Sequence, residues 1–193
     1  DNNNGAATHL DRKNPDYFIS KTRENTIVNN VVAGGSHGIS MSNAHSNKIL
    51  SNVIENCSAR GIIIISCTDS NLVYSNKFKN IGSTAIHLAY NCNRNFIKKN
   101  LIDGVLGVEG DGIKSYINCN GNRIEGNVIK NFARTGIRVS HGANSNSIVA
   151  NKIYGNGAAI QTGIKIISNN KMQYNEGFRF ENTLTAKNNV CKN

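Results

Sequence analysis

One short phrase, Asn-x-apolar-x-x-Asn-x-apolar, recurs through most of the chain and limits what it can fold into. It reads Asn25-Thr-Ile-Val-Asn-Asn30-Val-Val32, Asn47-Lys-Ile-Leu-Ser-Asn52-Val-Ile54 and Asn71-Leu-Val-Tyr-Ser-Asn76-Lys-Phe78. It continues as Asn95-Phe-Ile-Lys-Lys-Asn100-Leu-Ile102, Asn122-Arg-Ile-Glu-Gly-Asn127-Val-Ile129 and Asn146-Ser-Ile-Val-Ala-Asn151-Lys-Ile153. The first Asn returns after 22, 24, 24, 27 and 24 residues, and a degraded copy, Asn170-Lys-Met-Gln-Tyr-Asn175, follows after 24 more. A fixed period in this range marks a stack of like units, each burying its apolar surface against its neighbours.

Each copy then reaches a small residue and an apolar strand. The pairs are Gly38-Ile39, Gly61-Ile62, Ala85-Ile86, Gly112-Ile113, Gly136-Ile137, Gly163-Ile164 and Gly177-Phe178. The strands alternate with period two, so Ile39/Met41, Ile62/Ile64, Ile86/Leu88, Ile137/Val139, Ile164/Ile166 and Phe178/Phe180 face one way. Ser115 takes that inner row in the Gly110–Ser115 copy, a mild defect. A leucine-rich repeat has this period but needs Leu at fixed sites and a helical back, and neither is present. The expectation is an all-β solenoid, a parallel β-helix of about seven coils of 22–27 residues over 25–181. Residues 1–24 and 182–193 are expected to cap it or to continue neighbouring regions.

The 34 asparagines acquire a role in this frame. Coils stack at about 4.8 Å, so equivalent residues form columns, and an Asn column at a bend passes amide hydrogen bonds from coil to coil. The five cysteines show no C-x-x-C spacing, which indicates neither a zinc site nor a disulfide scaffold. Cys92 and Cys119 stand three residues before the first Asn of their copies and Cys67 four before, so they are expected near-stacked, buried and reduced, with a disulfide between adjacent coils as the alternative.

The formal net charge is +10, which favours polyanionic partners: acidic polysaccharide, nucleic acid or an anionic membrane surface. No apolar run approaches the ~20 residues that span a bilayer, so membrane insertion is not expected. No aromatic stacking row accompanies the cations, which disfavours nucleic acid. The start, DNNNGAATHLDRKN, has no apolar signal core.

The cations follow the repeat. The position after each small–apolar pair reads Ser40, Ile63, His87, Lys114, Arg138, Lys165, Arg179. Five bases in succession at ~4.8 Å repel one another unless an anion lies across them. The small residues beside them are expected to leave a shallow track on the outer face. Next to Lys114 lies an acidic loop, Asp103-Gly-Val-Leu-Gly-Val-Glu109-Gly-Asp111. Glu109 and Asp111 could hold calcium that bridges to a substrate carboxylate, serve as the acid pair of a glycoside hydrolase, or belong to an ordinary polar loop. His141 lies three residues past Arg138 at a bend. No Ser/His/Asp order, nucleotide-binding glycine loop or H-E-x-x-H is present.

Over roughly residues 25–180 this pattern resembles the right-handed parallel β-helix proteins of the pectate-lyase-like superfamily, and phage tailspikes share the architecture. A narrower resemblance is to polysaccharide lyase family six, the alginate lyases and chondroitinase B. Lys114-Ser115, Gly126-Asn127 and Arg138…His141-Gly142 follow the order of that family's Lys-Ser, Gly-Asn and Arg-His-Gly elements. Two residues separate Arg138 from His141, and no third calcium ligand can be identified.

The resemblance implies Lys114 as general base, Arg138 as acid or charge stabiliser, and calcium at Glu109 and Asp111 neutralising a uronate carboxylate. His141 completes the catalytic set, with His87, Lys165, Arg179 and Tyr116 as substrate contacts. A Lys crowded by Arg138 and Lys165 is expected to lose its proton more readily. The leading expectation is a lyase or epimerase acting on acidic polysaccharide by C5-proton abstraction. The alternatives are a trimeric tailspike that binds or hydrolyses a bacterial surface glycan and a non-catalytic glycan-binding β-helix. All three readings place the protein outside the cell, in the periplasm or on a virion surface.

Overall fold

The computed structural model describes residues 22–155, 162–166, 170–177, 180–182, 186–187 and 190–191. Strands of two to six residues run from one coil to the next, and all pairings among the described residues are parallel. Each coil contributes one strand to each of three sheets. In one coil these are Phe96–Lys98, Leu101–Val105 and Asp111–Tyr116. The first and second sheets, which begin at Thr26–Val28 and Val31–Ala33, have eight strands, and the third, beginning at His37–Ser42, has seven. This is the parallel solenoid that the repeat predicts. The short strands Ala186–Lys187 and Val190–Cys191 extend the first and second sheets.

The register places Ile39, Ile62, Ile86, Ile113, Ile137 and Ile164 opposite one another on successive coils, all buried. Ser115 is the polar member of the neighbouring inner row, and its Oγ lies 3.5 Å from the Cys119 carbonyl. The first sheet adds Ile49, Val73, Ile97, Ile124, Ile148 and Met172, and the second adds Ile54, Phe78, Ile102, Ile129 and Ile153. The core is therefore a set of apolar columns inside three walls. Each such side chain contributes roughly 1.5–3 kcal/mol on leaving water.

The final coil differs from the expected alignment. Gly177 pairs with Ile153 in the second sheet, whereas Phe180 stands opposite Ile164 and Asn182 opposite Ile166. Gly177 occupies the apolar site two residues after Asn175 and only imitates the small residue of the third sheet. Phe178 lies outside the described residues.

Two asparagine ladders hold the corners. One runs Asn25, Asn47, Asn71, Asn95, Asn122, Asn146, Asn170, and the other Asn30, Asn52, Asn76, Asn100, Asn127, Asn151, Asn175. Most rungs along both share one bonding unit. The N–H and Nδ2 of Asn71 donate to Asn95 Oδ1 at 2.9 and 3.0 Å, and Nδ2 also reaches back to the Ala44 carbonyl at 2.8 Å. The residues before the second ladder all adopt a left-handed conformation: Asn29, Ser51, Ser75, Lys99, Gly126, Ala150 and Tyr174. A third, shorter ladder of opposite polarity starts at Asp69 and runs through Asn93, Asn120 and Asn144.

The cysteine column is corrected in one member. Ala44, Thr68, Cys92, Cys119 and Ala143 each stand three residues before a rung and are buried, while Cys67 lies one residue outside the column and is half-buried. Cys92 and Cys119 are buried thiols, with the Cys92 amide 3.4 Å from Cys119 Sγ.

The small residues of the third sheet also sit differently from the expected outer track. Pairing passes from Asp111↔Thr135 to Ile113↔Ile137 and skips Gly112 and Gly136. A Cβ on Gly136 would meet Ile153 Cγ2 at 2.5 Å and the Gly163 carbonyl at 2.6 Å. Ala85, in the same row, is part of the core. The row faces inward, because the strand kinks where the second sheet's side chains fill the corner.

Replacing Ile137 with Ala is expected to cost ~2–5 kcal/mol in chemical denaturation. Asn100→Asp should cost about 3–5 kcal/mol, since a buried carboxylate would then face the Val73 carbonyl and Asn127 Oδ1, which now accept from the amide at 3.0 and 2.9 Å. A change below 1 kcal/mol there would mean that the ladder is dispensable.

Candidate functional site

The outer face of the third sheet carries the basic column. Ser40, Ile63, His87, Lys114, Arg138 and Lys165 are consecutive register partners, as their spacing predicts. The next position opposite Lys165 is Glu181, so the column does not run on to Arg179. Arg179 itself lies outside the described residues. The shift is the one that moved Gly177 into the second sheet.

Lys114 and Arg138 stand side by side on adjoining strands, Asp111–Tyr116 and Thr135–Ser140. Both are half-buried, and neither enters a salt bridge among the described residues. Arg138 Nε is buried without a hydrogen-bond partner. Lys114 Nζ lies 4.7 Å from the centre of the Tyr116 ring. Tyr116 in turn packs on His141, ring centres 4.3 Å apart. His141 is exposed, follows the strand in a left-handed conformation, and has Nδ1 3.1 Å from Ser140 Oγ. The fold thus brings Lys114, Tyr116, Arg138 and His141 to one surface.

Lys114 holds its proton less tightly than an ordinary lysine. Burial is the main cause, Asp111 opposes it, Arg138 and Arg134 reinforce it, and Glu109 opposes it again. The expected crowding is therefore real for Arg138, but burial outranks it, and Arg134 takes the part assigned to Lys165.

His87 belongs to the column by position but not by charge. It is 7% exposed, and Arg60 Nε donates to its Nδ1 at 2.8 Å. Burial first, then Arg60, Lys114 and His37, lower its pKa to about 3, so the ring is neutral at physiological pH. Its Nε2 is buried without a partner. The positive track therefore begins at Lys114.

The acidic loop does converge on the site, but on a guanidinium. Arg134 Nε and Nη2 grip Asp111 Oδ1 and Oδ2 at 3.0 and 2.6 Å, and Arg134 Nη1 lies 3.7 Å from Glu109 Oε1. The Asp111 side chain is 0% exposed. Calcium does not match this donor set: both Asp111 oxygens are taken by a fixed cation, and no group of three or more ligating side chains occurs among the described residues. A sealed, paired Asp111 is equally unsuited to deliver or accept a proton in glycoside hydrolysis. Structural neutralisation by Arg134 is what the geometry shows.

Sequence reasoning missed Arg134 and Arg60. Each stands just before a third-sheet strand or at its first residue, Thr135–Ser140 and Arg60–Ile65. The only signal was a cation before a small residue, which surface solubility explains equally well.

A family description, right-handed β-helix region, matches residues 17–176. The chain belongs to that family. No individual curated protein and no solved structure matches it.

Arg134→Met should destabilise the protein by about 3–5 kcal/mol, because it strands a buried carboxylate. Glu109→Gln, at an exposed position, should change stability by less than about 0.5 kcal/mol. Equal effects in urea unfolding would show that the Arg134–Asp111 pair is not the element that holds the loop.

Proposed function

We propose that the third-sheet face binds an acidic polysaccharide and that Lys114 removes its C5 proton. The observation that carries this reading is the registered Lys114–Arg138 pair, lacking ionic partners among the described residues and flanked by Tyr116 and His141. A uronate carboxylate placed against Arg138 has its charge offset by ion pairing with the guanidinium. This raises the acidity of the adjacent C5–H. Lys114, eased toward the amine by burial, accepts that proton. The C5–H electron pair then forms the C4=C5 bond as the C4–O bond breaks, and the departing oxygen takes a proton from the imidazolium form of His141, which is left as neutral imidazole. Reprotonation of C5 from the opposite face, with C4–O intact, would instead give epimerisation. Tyr116 and Lys165 extend the contact along and across the coils.

Economy of charge supports this reading. Neighbouring cations at strand spacing repel by on the order of 3 kcal/mol in a medium of effective dielectric 20. An anion laid across them converts that repulsion into binding. The acid-pair mechanism of a hydrolase has no comparable support, because Asp111 is already neutralised.

Incubation with a panel of acidic polysaccharides, followed by absorbance of the unsaturated uronate product, tests the reaction. Lys114→Ala should abolish turnover and leave binding measurable, because the amine acts in proton transfer. Arg138→Ala should weaken binding and turnover together, and binding to wild type should fall as salt rises. If no acidic glycan binds, or if both variants bind like wild type, the basic face serves only solubility.

A further inference from the structure

The orphaned nitrogen of His87 lies on the coil before Lys114, at the position in register with it. Arg60 cannot accept a hydrogen bond, so its bond to Nδ1 fixes the ring as the tautomer that carries hydrogen on Nε2. That N–H is sealed from solvent, and no acceptor meets it. An unsatisfied buried donor is costly and calls for an explanation.

The group rooted nearest in register is itself ambiguous. As an ammonium, Lys114 offers only hydrogens, and it lies over the face of Tyr116, where a cation is favoured. As an amine it has a lone pair. The His87 and Tyr116 rings are 6.4 Å apart, and Lys114 is the register partner of His87 and has its Nζ 4.7 Å from the Tyr116 ring centre. We infer that Lys114 has two seats: charged, it rests on the Tyr116 ring, and uncharged, it accepts a hydrogen bond from His87 Nε2–H, which Arg60 holds in place. His87 and Arg60 are then positioning residues for the base, and the orphan donor is satisfied only when the base is ready to act.

The remaining charges around Lys114 do not supply this acceptor. Asp111 and Glu109 are taken up by Arg134, Arg138, Lys165 and Arg60 are donors, and His37 makes no hydrogen bond to His87 Nε2. His141 is directed to Ser140 and Tyr116.

The significance of the two seats rests on the proposal that Lys114 is a base, but their test needs no polysaccharide. Nitrogen-15 shifts of the intact protein should show His87 with Nε2 protonated and Nδ1 bare from pH 5 to 9. The reverse tautomer, or an imidazolium at pH 6, would overturn the inference without any variant. Carbon-13 titration of the lysine Cε, with Lys114 assigned from Lys114→Arg, gives the second readout. His87→Phe keeps the ring and its burial but removes the donor, and should raise the Lys114 pKa by about one unit. His87→Gln, which restores an N–H, should bring it back toward wild type, and Tyr116→Leu should lower it. An unchanged Lys114 titration in a folded His87→Phe protein would sink the idea. A shifted lysine in a protein with no lyase or epimerase activity would refute only the proposed reaction. Activity without the shift would refute only the two seats.

Discussion

The asparagine ladder is the interaction on which the rest of the structure depends. A three-walled coil must turn sharply, and it does so through residues such as Ser75, Lys99 and Ala150 held in the left-handed region. Each such residue costs roughly 1–2 kcal/mol, which glycine would avoid. The chain uses glycine before the second ladder only at Gly126. What holds the other corners is the following asparagine, which typically donates from its amide to the next coil and from its side chain to the coils on both sides. At about 0.5–1.5 kcal/mol net per hydrogen bond, three bonds outweigh one strained residue. The bonds also satisfy corner backbone that no sheet reaches, so they remove a penalty as well as adding a gain.

The same ladder fixes the axial register, and register creates the site. A strand slipped by one residue would turn the isoleucine columns outward and scatter the cations. With every coil locked at two asparagine corners, Lys114 has no freedom to move away from Arg138 along the strand direction. Flexible surface lysines relieve repulsion by spreading apart, but a lysine and an arginine on adjoining rungs relieve it only at their tips. The fold thus holds charge in a pattern that a free chain would abandon. Asp111 shows the opposite solution on the same coils: a buried carboxylate is tolerated because Arg134 grips both of its oxygens.

Much of the architecture was legible because it repeats. The spacing of Asn47, Asn71 and Asn95 gave the coil length, and the alternation after Gly61, Ala85 and Gly136 gave the inner columns and the neighbours of Lys114. What escaped was whatever depends on local bending. The inward kink at Gly112 and Gly136 cannot be read from alternation, since alternation assumes a straight strand. Gly177 misled for a related reason: a glycine in an apolar slot looks like a glycine at a kink when only its neighbours Asn175 and Phe178 are considered. The site residues supplied by non-equivalent positions were likewise hidden. Arg60 and Arg134 act on different columns through different partners, and no periodic signal connects them. The loop acids were visible, but their fate was decided by a guanidinium that the sequence places 23 residues after Asp111.

These layers meet at His87. Its column position is the third of the series Ser40, Ile63, His87, Lys114, in which the outer face changes from uncharged to charged along the axis. Ile63 is buried there despite facing outward, and so is His87, so this end of the face is closely packed. Close packing lowers the pKa of His87 and partly buries Lys114, and both effects oppose charge. Arg138 and Lys165 follow in register on the next two coils, half-buried like Lys114. Lys114 therefore stands where close packing opposes its charge, beside Arg138 on the next coil. A general base for a carboxylate-bearing substrate requires that combination: it must be uncharged itself while lying next to the charge that holds the substrate. Neither a uniformly exposed cation row nor a fully buried lysine would provide both.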